Sequence, residues 1–154
     1  GIISKGEIQV MSAGTGIRHS EYNNSPDKEL RLLQIWLFPE KRNVEPRYDQ
    51  KKYSLEETHN NLLNVVSPMN SPAGIHIHQQ AWFSLGKLDK GFSTTYKLNK
   101  KDNGVYAFVI DGDISINGEQ LNRRDALAIT EADSFEIKAG TDAELLLMEV
   151  PMLQ

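Results

Sequence analysis

The chain has 154 residues, which is enough for one domain with a substantial core or for one and a half small β modules. It contains no cysteine, so disulfides, thiolate zinc sites and cysteine nucleophiles are excluded, and any metal must be bound through His, Asp or Glu. The net charge of −4 is mild and no basic stripe occurs, so we expect no direct binding of nucleic acid.

Hydrophobic runs in the chain are short. The longest, "LLQIWLF" and "ELLLMEVPM", fall far below the roughly 20 apolar residues that a transmembrane helix needs. The opening "GIISKGEIQV" has the pattern of a turn and a strand rather than that of a signal peptide. We therefore expect no membrane association and a cytoplasmic location.

Most apolar segments are rich in β-branched and aromatic residues and are separated by Gly, Asn and Asp, which predicts an all-β protein. The pair Asn117 and Gly118, with apolar residues nearby on either side, predicts a tight hairpin. In chain order, strands are predicted at residues 7–13, 30–39, 61–67, 74–85, 92–98, 104–111, 113–118, 125–130, 134–139 and 143–151.

The predicted strand at residues 30–39 has apolar side chains on both faces. By alternation, one face carries Leu30, Leu32, Trp36 and Phe38, and the other carries Leu33, Ile35 and Leu37. Such a strand is normally covered on both sides, as at an interface between two packed modules. The polar, proline-bearing residues 39–58 predict a connector that crosses the surface and divides the chain.

A histidine and a glutamate two positions apart, His19 and Glu21, follow a turn in which Gly14 and Gly16 are expected to adopt positive φ. On a strand these two side chains would point the same way and could chelate one ion. Imidazole and carboxylate together suit Fe(II), Mn(II), Ni(II) or Zn(II). The alternative is a surface His–Glu pair with only local hydrogen bonds, and the spacing alone does not decide between the two.

The segments "GEIQVMSAGTGIRHSEYN" (residues 6–23) and "LRLLQIWLFPEKRNVEPRYDQ" (residues 30–50) resemble the pirin family of two-module cupins, which includes bacterial pirin-like quercetin 2,3-dioxygenases. The segments from "GIHIHQQAWFSLGKL" to "DAELLLMEVP" resemble the C-terminal cupin of that family. The resemblance implies an all-β cupin fold, a double-stranded β-helix or jelly roll. It further implies part of an N-terminal cupin at residues 1–40, a connector at 41–60 and a complete C-terminal cupin at 61–154.

The pirin family holds one non-haem metal in its N-terminal cupin through three histidines and a glutamate. By this resemblance His19 and Glu21 are the third and fourth metal ligands, and Glu21 is a candidate catalytic base. The first two ligands have no counterpart upstream of Gly6, so we expect the chain to begin inside the first cupin. The implied cofactor is Fe(II) or another divalent transition metal (Ni, Mn or Zn), and two ligands should hold it weakly or not at all.

A second H-x-H pattern, His76 and His78 in "GIHIHQ", would place two imidazoles on one face of a predicted strand. A metal-binding role is one interpretation. The resemblance favours a structural role, because this segment corresponds to the first strand of the family's C-terminal cupin, which is not a ligand site there. The residues near Arg124 and Phe135 that correspond to cupin ligand positions are non-ligands, so we predict a metal-free second module with an apolar interior.

Three functional hypotheses follow. The first is a pirin-like cupin with an incomplete metal site that does not catalyse as this chain stands. The second is a metal-dependent quercetin 2,3-dioxygenase, which opens a flavonol with O₂, if the natural protein includes the missing strands; its partner would be a small aromatic substrate. The third, implied by human pirin, is a redox-responsive protein-interaction module.

We also expect self-association. Strands near residues 8–11 and 30–38 would lack pairing neighbours and leave apolar edges, which proteins in solution normally cover. A homodimer, with or without strand exchange, is therefore the predicted assembly.

Overall fold

The computed structural model describes residues 1–152 and confirms the all-β prediction. One short helix, α1, spans Leu55–Thr58. The strands are β1 (Glu7–Ser12), β2 (Arg47–Lys52), β3 (Leu62–Pro68), β4 (Ile75–Ile77), β5 (Trp82–Leu88), β6 (Ser93–Lys97), β7 (Asn103–Asp111), β8 (Ile114–Ile116), β9 (Glu119–Leu121), β10 (Ala126–Ile129), β11 (Ser134–Ala139) and β12 (Ala143–Pro151).

Strands β3–β12 form two sheets, which we call the C-terminal sandwich. The first sheet has six strands in the order β10-β7-β12-β5-β3-β4, and the second has four in the order β6-β11-β8-β9. All neighbours pair antiparallel except β3 and β4, which pair parallel. Strands β1 and β2 form a separate antiparallel pair.

The six-stranded sheet is apolar on both faces. Leu145 and Leu147 of β12 belong to the interior cluster between the two sheets, whereas Leu146 belongs to an outer cluster that also contacts Ile8 and Val10 of β1. A strand covered on both sides needs an uninterrupted apolar run, which is why β12 shows no polar alternation over residues 145–148. Each fully buried leucine contributes about 1.5–3 kcal/mol of transfer free energy.

The predicted hairpin at Asn117 and Gly118 is confirmed. These two residues join β8 to β9, with Ile116 paired to Glu119. Their φ angles of 49° and 89° are both positive, which is the requirement of the primed turns that match the twist of two adjacent strands.

The predicted strand at residues 30–39 is wrong, because the structure places no strand between β1 and β2. In this segment Trp36 is 88% exposed and Phe38 is 89% exposed. Leu37, between them, is partly buried against the outer cluster. A strand requires a neighbouring backbone to pair with, and no described residue pairs with this segment. The segment is apolar, but its composition does not reveal whether another backbone lies beside it to form a sheet.

Strand β2 lies inside residues 39–58, for which the sequence predicts a connector rather than a strand. It pairs with β1 from Ser12 opposite Arg47 to Glu7 opposite Lys52. Its sequence "RYDQKK" is polar, so no hydrophobic alternation marks it.

Helix α1 follows and begins with a capping box in which Ser54 and Glu57 each accept a backbone N–H from the other.

Within residues 1–152, no helix is long and apolar enough to cross a membrane.

Candidate functional site

The segment that carries His19 and Glu21 leaves β1 through a glycine turn. Gly14 and Gly16 adopt φ of 52° and 130°, as predicted, and the Gly16 amide donates to the Ala13 carbonyl oxygen at 2.7 Å. A Cβ atom on Gly14 would overlap the Val44 carbonyl oxygen. Glycine is required at this position because two backbone segments approach each other closely there.

Both His19 and Glu21 are exposed to solvent. They lie in residues 13–46, which contain no helix or strand, so the expectation that a strand aligns these two side chains is wrong for this structure. The physical reason is the same as for residues 30–39: the segment has no adjacent backbone to form a ladder with. An imidazole and a carboxylate two residues apart remain chemically suited to one divalent ion in any backbone conformation that turns them together.

In the described part of the chain, no group of three or more His, Asp or Glu side chains is close enough to hold a metal ion. The donor types of His19 and Glu21 fit a divalent transition metal, but the pair fills only part of a coordination sphere. The assignment of these two residues as metal ligands, and of Glu21 as a catalytic base, stays a prediction.

Two of the other histidines, His76 and His59, make side-chain contacts with the protein. The His76 Nε2 atom lies 2.9 Å from the Ser71 carbonyl oxygen, so this nitrogen carries the proton and donates. The His59 Nε2 atom lies 2.9 Å from both carboxylate oxygens of Asp89. Hydrogen bonds from His59 and Asn60 hold the pKa of the Asp89 carboxyl below its usual value. These contacts are those of structural side chains, as the resemblance favoured for His76.

A buried carboxylate, Glu149, occupies one end of the interior of the C-terminal sandwich. It is fully buried and accepts five hydrogen bonds of 2.9 Å, from the Tyr96 hydroxyl, the Asn99 amide and side chain, the Lys100 amide and the Asn103 side chain. A buried carboxylate is tolerated only when its oxygens are satisfied in this way. The prediction of an entirely apolar interior is therefore wrong at this end.

The hydroxyl of Tyr96 is held in the same network. It donates to the Glu149 Oε2 atom and accepts from the Asn99 Nδ2 atom at 3.2 Å. Burial raises the pKa of the Tyr96 phenol well above its usual value, and the neighbouring Glu149 carboxylate raises it further. The phenol is thus a neutral, fixed hydrogen-bonding group in the wall of the interior.

The sequence contained one signal for this network. Glu149 falls on the same alternating face as Leu145 and Leu147, which the strand pattern assigns to the core. A charged residue at a core position requires internal partners, but the sequence did not indicate which residues those would be.

Comparisons with known proteins bear on both parts of the chain. Residues 64–150 match the family model described as "Quercetinase C-terminal cupin domain", and residues 1–37 match the one described as "Pirin". The two-sheet sandwich is thus a cupin. The chain belongs to the pirin family, which confirms the resemblance found in residues 6–23 and 30–50.

Relatives and solved structures agree with this assignment. The chain is 35% identical over 149 residues to a quercetin 2,3-dioxygenase of Escherichia coli, a match that covers 97% of this chain and 63% of that protein. It is 34% identical to a pirin-like protein of Caulobacter vibrioides, over 94% of this chain and 62% of that one. The chain therefore spans less than two thirds of the length of these relatives.

Among solved structures, YhhW from Escherichia coli superimposes with a TM-score of 0.91 at 34% identity, covering 99% of this chain and 63% of that one. A second structure, the bacterial pirin YhhW in complex with nickel(II), gives a TM-score of 0.88 at 35% identity, covering 96% and 62%.

Proposed function

We propose that these 154 residues carry two of the ligands of a mononuclear divalent-metal site, His19 and Glu21, and do not catalyse on their own. Joined to the remaining ligands, the site would belong to a metal-dependent quercetin 2,3-dioxygenase. The observation that supports the proposal most directly is that "GIRHSEYN" lies in the stretch matched by the pirin family model, while a pirin related at 35% identity forms a complex with nickel(II).

The two residues would have distinct roles in such a site. The neutral imidazole of His19 would give a nitrogen lone pair, and the carboxylate of Glu21 would give an oxygen. When bound, the metal supplies open coordination positions and electron transfer between a flavonol and dioxygen. Glu21 would in addition accept the proton of the flavonol hydroxyl as a general base. The exposure of both side chains leaves them accessible to an ion and to a substrate.

The first prediction concerns metal affinity. The metal-stripped 154-residue chain, titrated calorimetrically with Ni(II), should bind it weakly, because two ligands leave water to complete the sphere. In a form extended to the length of the relatives, binding should be tight and stoichiometric. There His19→Ala should weaken it by roughly 100-fold or more, since even the hydrogen-bond partners of ligands are worth 10–100-fold.

The matched control is His59→Ala, which removes an exposed imidazole that pairs with Asp89. It should leave Ni(II) affinity unchanged. Tight binding by the 154-residue chain through His19 would contradict the proposal of a partial site. Unaltered affinity after His19→Ala in the extended form would contradict the ligand assignment.

Turnover is tested on the same two forms. Loss of quercetin absorbance is followed with Fe(II), Ni(II) or Mn(II) added in turn. The extended form should consume quercetin with at least one of these metals, and the 154-residue chain with none. An inactive extended form that nevertheless binds metal through His19 would rule out the dioxygenase while leaving the metal site intact.

A further proposal concerns assembly. The apolar segment (residues 30–38) exposes Trp36 and Phe38 almost completely, and contiguous apolar surface of this kind is normally covered by protein. We propose that a second copy of the chain covers it, giving a homodimer. Trp36 and Phe38 are almost fully exposed, and no described strand pairs with their segment. The segment is therefore also suited to pair with a second copy of the chain by strand exchange.

Self-association is measured by light scattering over a range of concentrations. The 154-residue chain should give the mass of a dimer, and the double substitution Trp36→Ser with Phe38→Ser should weaken dimerisation by about 100-fold or more, because buried aromatic side chains dominate such interfaces. Tyr106→Ser, which removes an aromatic exposed elsewhere on β7, is the control and should leave the mass unchanged. A chain that stays monomeric at high concentration would refute the dimer.

A further inference from the structure

Two asparagine–glycine pairs occur in the chain, Asn103-Gly104 in β7 and Asn117-Gly118 in the hairpin between β8 and β9. A side-chain amide of asparagine is open to attack by the backbone nitrogen of the next residue, and glycine in that place has no side chain to hinder the approach. The attack expels ammonia and forms a cyclic imide, which water opens to aspartate or isoaspartate. The structure places these two identical pairs in different surroundings.

The pair in β7 is closed to this reaction. Asn103 is 4% exposed, and its side-chain NH₂ group donates to the Glu149 carboxylate at 2.9 Å. Gly104 is also buried, and a Cβ atom there would overlap the Met152 sulfur. Both residues lie where β7 pairs with β12. The Asn103 amide is therefore attacked only when this part of the six-stranded sheet opens.

The pair in the hairpin leaves its attacking atom free. Asn117 and Gly118 are both exposed, and a Cβ atom on Gly118 would meet no atom within 4 Å. The Gly118 backbone nitrogen is the atom that attacks, and it donates no hydrogen bond to any residue that the structure describes. It is therefore neither shielded by neighbours nor engaged as a donor.

The Asn117 side chain is held in a way that favours attack on it. Its Oδ1 atom accepts a hydrogen bond of 2.9 Å from the Glu136 backbone amide of β11, and its NH₂ group donates to no described residue. A backbone N–H at this distance stabilises the negative charge that develops on a carbonyl oxygen when a nucleophile adds to the carbon. The group that must leave is not retained, whereas the oxygen that must carry charge has its donor in place.

The asparagine–serine pairs of the chain lack this combination. Serine is small enough to allow the same attack, and Asn24-Ser25 and Asn70-Ser71 both begin with an exposed asparagine. The Ser71 nitrogen, however, donates to the Pro68 carbonyl oxygen at 2.9 Å, and the Ser25 nitrogen donates to the Asn23 side chain at 3.1 Å. In both pairs the attacking nitrogen is already engaged, so the hairpin pair is the most open of the four.

We propose that Asn117 is a site of spontaneous deamidation in the folded protein. The Gly118 nitrogen forms a bond to the Asn117 Cγ atom and gives its proton to solvent, while the Glu136 N–H stabilises the charge on Oδ1. The Cγ–Nδ2 bond then breaks, and Nδ2 takes up a proton and leaves as ammonia. Water adds to either carbonyl carbon of the imide and breaks the bond from that carbon to the Gly118 nitrogen. The reaction needs no oxidant, cofactor or enzyme.

The two products affect the hairpin differently, although each adds one negative charge. Aspartate at position 117 keeps a side-chain oxygen for the Glu136 amide and tolerates positive φ, so the turn persists. Isoaspartate adds a carbon to the main chain between β8 and β9, which moves Glu119 out of register with Ile116. Strand β9 lies at the edge of its sheet, and Leu121 would then leave the interior cluster.

The test compares the two asparagine–glycine pairs within one sample of the 154-residue chain. The chain is incubated at mildly alkaline pH in heavy-oxygen water, which labels the product formed during incubation. Digestion with chymotrypsin then separates the pairs by cutting after Tyr106 and Phe108, and mass spectrometry measures the label. Product should form at Asn117 about 100-fold or more faster than at Asn103, because the Asn103 rate is reduced by the opening equilibrium of a paired core strand.

Unfolding supplies the control. In urea the two pairs should react at rates within about 3-fold of each other, because both then lie in flexible chain. Asn117→Gln should abolish the label in the hairpin peptide, and the comparison within the unsubstituted chain stands even if this variant does not fold. The proposal is overturned if Asn117 reacts no faster than Asn103 in the folded chain, if Asn24 or Asn70 reacts faster than Asn117, or if the difference persists in urea. No metal takes part, so none of these outcomes bears on the proposed metal site.

Discussion

Replacing Glu149 with alanine should destabilise the fold by about 4 kcal/mol, because five hydrogen-bond donors lose their shared acceptor inside the sandwich. Each donor to a charged group contributes about 1.5–3 kcal/mol, but the five share one carboxylate, so their contributions do not add in full. A loss of this size is a large share of the roughly 5–15 kcal/mol that keeps a domain folded. The loss in unfolding free energy is measured by urea denaturation, with the m-value of the variant equal to that of the unsubstituted chain.

Two further variants make the interpretation specific. Glu149→Gln keeps one oxygen, which can retain the three contacts of Oε2, while its NH₂ group opposes the Lys100 amide and the Asn103 side chain. It should therefore cost about half as much as the alanine variant. Glu144→Ala on the same strand removes a partly exposed carboxylate and should change stability by no more than about 0.5 kcal/mol. Equal losses for Glu149→Ala and Glu144→Ala would show that the network does not stabilise the fold.

The Glu149 network illustrates which features of this fold can be predicted from sequence and which cannot. The all-β class and the β8–β9 hairpin could be predicted, because β-branched runs and the Asn117-Gly118 pair act through neighbours in sequence. Alternation along β12 places Glu149 on the same face as Leu145 and Leu147, so the sequence marks it as a charge at a core position but does not name its partners. Its partners lie 46 to 53 residues away in sequence, on other elements, and no local pattern specifies them.

The errors at residues 30–39 and at β2 have one cause. An apolar segment that would suit a doubly covered strand is left unpaired, while the polar "RYDQKK" forms a strand with β1. Pairing depends on which backbone is adjacent, and that is a property of the whole fold rather than of the segment. The candidate metal site shares this limit. The spacing of His19 and Glu21 fits a chelating pair and a local His–Glu contact equally, because the other ligands of a site are brought together by folding and not by spacing.

Substituting alanine at Gly112 should cost about 2–5 kcal/mol, although the change adds one methyl group. Gly112 has a φ of 74°, and an L-residue in this region costs roughly 1–2 kcal/mol. In addition, a Cβ atom there would overlap the Asp142 carbonyl oxygen and lie 2.8 Å from the Ala143 Cα atom. Neither contact is a flexible side chain, so the loop between β7 and β8 and the start of β12 would have to move apart, at a further cost of about 1–3 kcal/mol.

Gly118 separates these two contributions. Its φ of 89° carries the same backbone strain, but a Cβ atom there meets no atom within 4 Å. Gly118→Ala should therefore cost only the roughly 1–2 kcal/mol of the left-handed conformation. The difference between the two variants, measured by thermal unfolding under identical conditions, gives the cost of the steric overlap alone. Equal costs would mean that the backbone around Asp142 yields freely, and the close packing of β12 against the β7–β8 loop would then contribute nothing to the rigidity of the six-stranded sheet.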